Sequence, residues 1–153
     1  MENAKTISIA DVMTKAVISV DSSMTINETA KMMEDSKVGS VIVMENNTPV
    51  GIVTDRDFAV KAVAHAYQIS SPIKQIMSSP LISIDSDEPV RNAADLMHGR
   101  GVRKLPVTSD DKVIGMITAT DIVNLLAVCV EEDMRDMYYH SVAKIYKDYS
   151  PYN

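Results

Sequence analysis

Two four-residue stretches hold the side chains best suited to chemistry, Thr54-Asp55-Arg56-Asp57 and Thr118-Ala119-Thr120-Asp121. An ionised carboxylate accepts hydrogen bonds from both hydroxyls of a vicinal diol, and such charge-assisted bonds are about twice as strong as neutral ones. Thr54 and Thr118 stand one helical turn before the carboxylates, placed to meet a sugar or a phosphate. In each stretch an apolar run gives way to a helix start, where free backbone N–H groups and the helix dipole favour negative charge. The same Thr-x-x-Asp spacing is also a helix-capping arrangement that needs no ligand. The two readings are compatible if threonine caps the helix while aspartate points outward.

No catalytic constellation accompanies these residues. His65, His98 and His140 are scattered, without His-Glu-x-x-His or Cys-x-x-Cys, so no zinc site is expected. There is neither a Gly-x-Ser-x-Gly nor a P-loop. The single cysteine, Cys129, lies on an apolar helix face and reads as inert packing; unable to form an internal disulfide, it fits a reducing, cytoplasmic interior. The 11 methionines read as adaptable core filling. A net charge of −6 works against nucleic acid, which needs cations to displace its counterions. Five glycines and one phenylalanine argue against a Gly-rich phosphate loop or an aromatic stacking platform. No apolar run approaches the ~18 residues that span a bilayer. Met1-Glu2-Asn3-Ala4-Lys5 lacks the basic-then-apolar layout of a signal peptide. The expectation is a soluble, non-catalytic chain that folds, since 46% hydrophobic and 24% charged residues are near the globular average.

The elements that must position the two stretches come from a duplicated unit. A shift of 64 positions, from Gly51 to Gly115, aligns the two halves without a gap. Ile9 then falls on Ile73, Met13 on Met77, Ala30 on Ala94, Met33 on Met97, Thr54 on Thr118 and Asp57 on Asp121. Each unit reads as a turn (Ile9, Val12, Met13), a strand (Val17 to Val20) and a helix (Thr25 to about Ser36). Two strands follow, Ser40 to Met44 and Val50 to Val53, joined by the polar loop Glu45-Asn46-Asn47-Thr48-Pro49, before a second helix from Thr54. Thr25-x-x-Glu28 is a capping box; the second copy is expected to use Asp87, with Pro89 just inside the helix. The fold class is α/β (α+β): two β-α-β-β-α repeats, at 8–66 and 72–130, packed through their sheets with pseudo-two-fold symmetry. A C-terminal helical extension covers 131–153. There Ile122, Leu126, Val130, Met134, Tyr138, Val142 and Ile145 recur at helical spacing. That face either packs back on its own domain or contributes to a homodimer.

Pro49-Val50-Gly51-Ile52-Val53-Thr54-Asp55-Arg56-Asp57 and Val113-Ile114-Gly115-Met116-Ile117-Thr118-Ala119-Thr120-Asp121 resemble the signature of cystathionine-β-synthase (CBS) domains. That signature is an apolar pair, Gly, two apolar residues, Ser or Thr, two variable residues and Asp; Pro49 departs from it slightly. Val102-Arg103-Lys104-Leu105-Pro106-Val107 resembles the preceding strand of the same family. The resemblance covers residues 8 to 130 and includes the tandem arrangement, also called a Bateman module. It implies binding of AMP, ADP, ATP or S-adenosylmethionine between the two repeats, regulation of an effector protein, and a homodimer.

The resemblance also assigns roles. Asp57 and Asp121 would hold the ribose, and Thr54 and Thr118 sugar or phosphate. Adenine would lie against the backbone of Thr14, Lys15, Ala16 and Val17, or of Ser78, Ser79, Pro80 and Leu81. Basic residues before the middle strand reach across in this family, so Arg103 and Lys104 would join Arg56 at the Asp57 site. The Asp121 site would have Thr120, Ser40 and the Gly39 backbone instead. The Asp57 site is therefore expected to be the better phosphate binder, although Asp55 works against a triphosphate without a metal. An ordinary solvated face, strand entry or core packing accounts for the same basic and slot residues without a ligand. The competing function is a dimerisation scaffold with a vestigial nucleotide site.

Overall fold

Short apolar runs too brief for helices pair into two small sheets. In the computed structural model, which describes residues 6–126 and 136–146, strand β1 (Ser19–Asp21) runs parallel to β2 (Ser40–Glu45). Helix α1 (Ile26–Ser36) makes the crossover such a parallel pair requires. Strand β3 (Thr48–Thr54) returns antiparallel to β2 and leads into α2 (Asp55–Asp57), which continues as π-helical turns over Phe58–Val63. The second repeat rebuilds this order. Strand β4 (Ile84–Asp85), α3 (Val90–Arg100), β5 (Lys104–Ser109), β6 (Lys112–Thr118) and α4 (Ala119–Leu126) give a second three-stranded sheet. Even the register irregularity repeats, at Val43/Met44 and at Val107/Thr108.

Local chemistry explains most boundaries. The Thr25 hydroxyl accepts from Glu28 N at 3.1 Å, and Glu28 Oε2 accepts from Thr25 N at 3.0 Å, so the expected capping box forms. In the second copy the expectation fails. Pro89 is the N-cap of α3, and Asp87 turns its own N–H to Asp85 Oδ1 at 2.9 Å. As Ile26 N does to Ser71 O at 2.9 Å in the first copy, Val90 N donates to backbone of another segment, Ile7 O at 3.1 Å. The five-residue hairpin loop is also shorter than expected. Asn46 and Asn47 turn the chain alone, at φ 50° and 61°, as Asp110 and Asp111 do at 49° and 62°. Asparagine and aspartate tolerate this left-handed pair, whose twist matches the flanking strands.

Packing divides the chain at different places from the repeat. One compact unit is Val17–Ile82; the other joins the described residues before Val17 to those from Ser83 onward. Each repeat's opening segment thus packs with the other repeat's sheet. In the first unit, Ile73 N donates to Met24 O at 2.7 Å, while Ser78 and Ile52 exchange backbone bonds of 2.8 and 3.1 Å. In the second, Ile9 N donates to Glu88 O at 2.9 Å, and Thr14 and Met116 exchange two bonds of 2.9 Å. Ile73 and Ile76 accordingly join Val20, Ile26, Met33, Val41, Val43 and Val53 in the first core. Ile9 is buried with Val90, Met97, Leu105, Val107 and Ile117 in the second unit.

The crossing of these segments over the sheets accounts for the signature glycines. A Cβ on Gly51 would stand 2.8 Å from both Met77 Sδ and Ser78 O; one on Gly115 would stand 2.6 Å from Met13 Sδ and 2.9 Å from Thr14 O.

Of the apolar face expected beyond α4, Val130 and Met134 lie outside the described residues. The helical stretch resumes with π-helical Tyr138–Val142 and α5 (Ala143–Tyr146), which pack against α3. His140 Nε2 meets Asp95 Oδ2 at 3.1 Å, and Lys144 Nζ donates to Asp95 Oδ1 at 2.6 Å. In this stretch the packing-back arrangement is realised. Among the described residues, no helix is long and apolar enough to cross a membrane.

Candidate functional site

Both signature carboxylates spend one oxygen on the helix start. Asp57 Oδ2 accepts from Thr54 N at 2.8 Å and from the Thr54 hydroxyl at 2.9 Å. Asp121 Oδ2 accepts from Thr118 N and the Thr118 hydroxyl, each at 2.7 Å, and Asp121 N returns a bond to that hydroxyl at 3.2 Å. The capping role is therefore real in both copies, carried by aspartate reaching back rather than by threonine alone. A second oxygen remains on each carboxylate.

The two second oxygens differ. Asp57 Oδ1 meets Lys61 Nζ at 2.9 Å and accepts from the Ser78 hydroxyl at 3.4 Å. Lys61 also donates to Ile76 O at 3.0 Å and to Ser78 Oγ at 3.1 Å. Asp57 is only 7% exposed. Asp121 is half-buried, and no described side chain donates to its Oδ1. Lys61 is a residue at this site that sequence reasoning misses. Its place four residues after Asp57 is a readable helix-face ion-pair spacing, but the repeat hides it, because Leu125 occupies the equivalent position.

The remaining candidates fall into two groups, one per compact unit. Gly39, Ser40, Thr54, Arg56, Asp57, Ser78 and Pro80 belong to the first, along with half-buried Val17. Ser40 faces Thr54 in the strand register, and Gly39 O accepts from Asp55 N at 3.2 Å, so this segment flanks the start of α2. Arg56 is exposed, and Ser78, Ser79 and Pro80 form an exposed edge, with a cis peptide before Pro80. Thr14, Lys15, Arg103, Lys104, Thr118, Thr120 and Asp121 belong to the second unit. Lys104 faces Thr118 in register, and Arg103 O accepts from Ala119 N at 2.9 Å, so both basic residues adjoin the start of α4. Thr14, Lys15 and Thr120 are exposed. The expected slot from Thr14 to Val17 is divided, since the unit boundary follows Ala16.

Arg103 has a neighbour that sequence reasoning did not supply. Its guanidinium carbon lies 5.1 Å from the centre of the Tyr146 ring, within cation–π range. Tyr146 is brought there by the segment that His140 and Lys144 tie to Asp95. Partial burial pushes the Asp95 carboxyl up, but hydrogen bonds and charge from Lys144 and His140 outweigh it and hold the group below its ordinary value. Each signature thus offers a carboxylate beside a helix start and an exposed backbone edge. That chemistry suits a neutral sugar diol attached to a flat ring.

Comparison with known proteins follows the same outline. The model of the CBS domain matches residues 9–63 and 73–128. An uncharacterized protein of Methanopyrus kandleri is 34% identical over 137 residues, 86% of this chain and 70% of that protein. The CBS domain-containing protein YhcV of Bacillus subtilis is 30% identical over 115 residues, 75% of this chain and 82% of that protein. Among solved structures, the CBS domain pair of protein MJ0100, in complex with 5′-methylthioadenosine and S-adenosyl-L-methionine, superposes with a TM-score of 0.71. It is 30% identical, and the match covers 79% of this chain and 96% of that one.

Proposed function

The chain belongs to the CBS domain family, as a tandem pair that forms a regulatory module, and on that premise we propose that it senses an adenosine-containing ligand for a partner protein. The observation that carries this reading is the doubled site: a Thr-x-x-Asp helix start beside a strand edge, present in both units. The ribose diol bonds to a signature carboxylate, the base lies along the exposed edges at Thr14–Lys15 or Ser78–Pro80, and Arg56, Arg103 and Lys104 favour an anionic tail. The 5′-methylthioadenosine and S-adenosyl-L-methionine bound by the MJ0100 pair support an adenosine ligand; AMP, ADP and ATP fit the same diol chemistry. We place the module in the cytoplasm, which the lone Cys129 fits. A ligand regulates such a module only as far as it binds one arrangement better than another.

Thermal unfolding with a panel of 5′-methylthioadenosine, S-adenosylmethionine, AMP and ATP tests the reading. A ligand at 100-fold its dissociation constant stabilises the fold by about 2.7 kcal/mol, a shift of several degrees in the midpoint. Exposed apolar side chains in the first unit, Val60, Val63, Tyr67 and Ile69, favour a second reading, a homodimerisation scaffold with a vestigial site. A flat response to the whole panel selects the scaffold.

A further inference from the structure

We infer that Lys61 closes the first signature to a sugar diol, so that Asp121 alone is the acceptor ready for ligand. The inference rests on the adenosine-binding reading and deepens it. An ionised carboxylate has about four lone-pair sites. At Asp57 both oxygens are occupied: Oδ2 accepts two bonds from Thr54, while Oδ1 is ion-paired with Lys61 at 2.9 Å and accepts from the Ser78 hydroxyl at 3.4 Å. The closing group is itself satisfied. An ammonium carries three N–H donors, and Lys61 Nζ has three acceptors within 3.1 Å: Asp57 Oδ1, Ile76 O and Ser78 Oγ. A diol entering at Asp57 must break the ion pair and leave the partly buried Lys61 ammonium, still bonded to Ile76 O and Ser78 Oγ, without its counter-charge. Removing one member of such a pair leaves the other uncompensated.

The second signature lacks this lock for a reason visible in the repeat. The residue four beyond Asp121 is Leu125, which has no donor. Thr14 takes the place of Ser78, and its side chain makes no bond to Asp121. Among the described residues nothing donates to Asp121 Oδ1, so its lone pairs are open to two hydroxyls. The preference runs opposite to the expectation that the Asp57 site is the better phosphate binder, which rests on cations near phosphate and not on the acceptor available to the sugar.

Titration calorimetry with 5′-methylthioadenosine, an uncharged probe that keeps the diol, tests the assignment on the full chain. Wild type is expected to take one equivalent per chain, weakened at least tenfold by Asp121→Asn. Lys61→Leu, which copies the second repeat, should add a second equivalent, and Leu125→Lys should remove the first. Circular dichroism on each variant confirms that it is folded. Two equivalents on wild type overturn the inference. So does binding that survives Asp121→Asn but is lost with Asp57→Asn, or a folded Lys61→Leu protein that still takes one equivalent. No heat with wild type or with Lys61→Leu overturns the adenosine reading along with it.

Discussion

Gly51 and Gly115 show how a signature residue is set by what crosses it. Backbone and methionine sulfur lie within 2.9 Å of the Cβ each would carry, closer than side chains tolerate. Overpacking of this kind costs about 1–3 kcal/mol, so Gly51→Ala and Gly115→Ala should each lower the urea midpoint. Gly99, in α3 with nothing within 4 Å of an added Cβ, provides the control of opposite sign. Gly99→Ala should raise stability by about 0.4–1 kcal/mol through the unfolded chain. Equal effects at all three positions in equilibrium unfolding would refute the crossing as the cause. The sequence made the glycines conspicuous by repetition but could not name their neighbours, which arrive from the opening segment of the other repeat. The carboxylates were legible in type and position. Their division of labour was not, because it depends on which oxygen each donor reaches and on Lys61, a residue the repeat does not duplicate.

At the scale of elements, the helices and strands followed closely from periodicity and turn chemistry. Misplaced boundaries had local causes. The Asn46-Asn47 pair accepts positive φ and tightens the hairpin, and Pro89, which has no capping side chain, takes the N-cap of α3 in place of Asp87. The C-terminal segment was legible as an apolar face but not as a tether. Asp95 lies 45 residues before His140 and 49 before Lys144, and only the fold brings them together. Because Asp95 is held below its ordinary value of 3.8, its contribution is present above that value and lost as pH falls through the lower folded one. Hydrogen exchange over 136–146 should accelerate in that acid window, and Asp95→Asn should bring the acceleration to neutral pH. Exposed pairs contribute at most about 1 kcal/mol, so the change should be confined to this segment. If Asp95→Asn leaves exchange there unchanged at pH 7, the tether has no role in holding α5.

For the whole molecule, the 64-residue repeat announced two copies of one fold, and two three-stranded sheets with matching bulges are what forms. The exchange of opening segments was invisible to that alignment for a simple reason. Sliding the chain on itself pairs Ile9 with Ile73 whether each packs with its own sheet or with the other. Only the backbone bonds from Ile9 to Glu88 and from Ile73 to Met24 decide it. Each signature is thereby flanked by a segment more than twenty residues distant in sequence, Ser78 at Asp57 and Thr14, through Met116, in the Asp121 unit.

The central claim is that a signature carboxylate accepts the ligand's diol, and the most direct measurement compares AMP with its 2′,3′-dideoxy counterpart. Hydrogen bonds to a charged group are worth about 1.5–3 kcal/mol each, so wild type should bind the dideoxy compound at least tenfold more weakly. Asp121→Ala should bind the two compounds alike, closing a cycle that isolates the carboxylate–diol term. Equal affinity of the wild-type chain for both compounds would contradict the account.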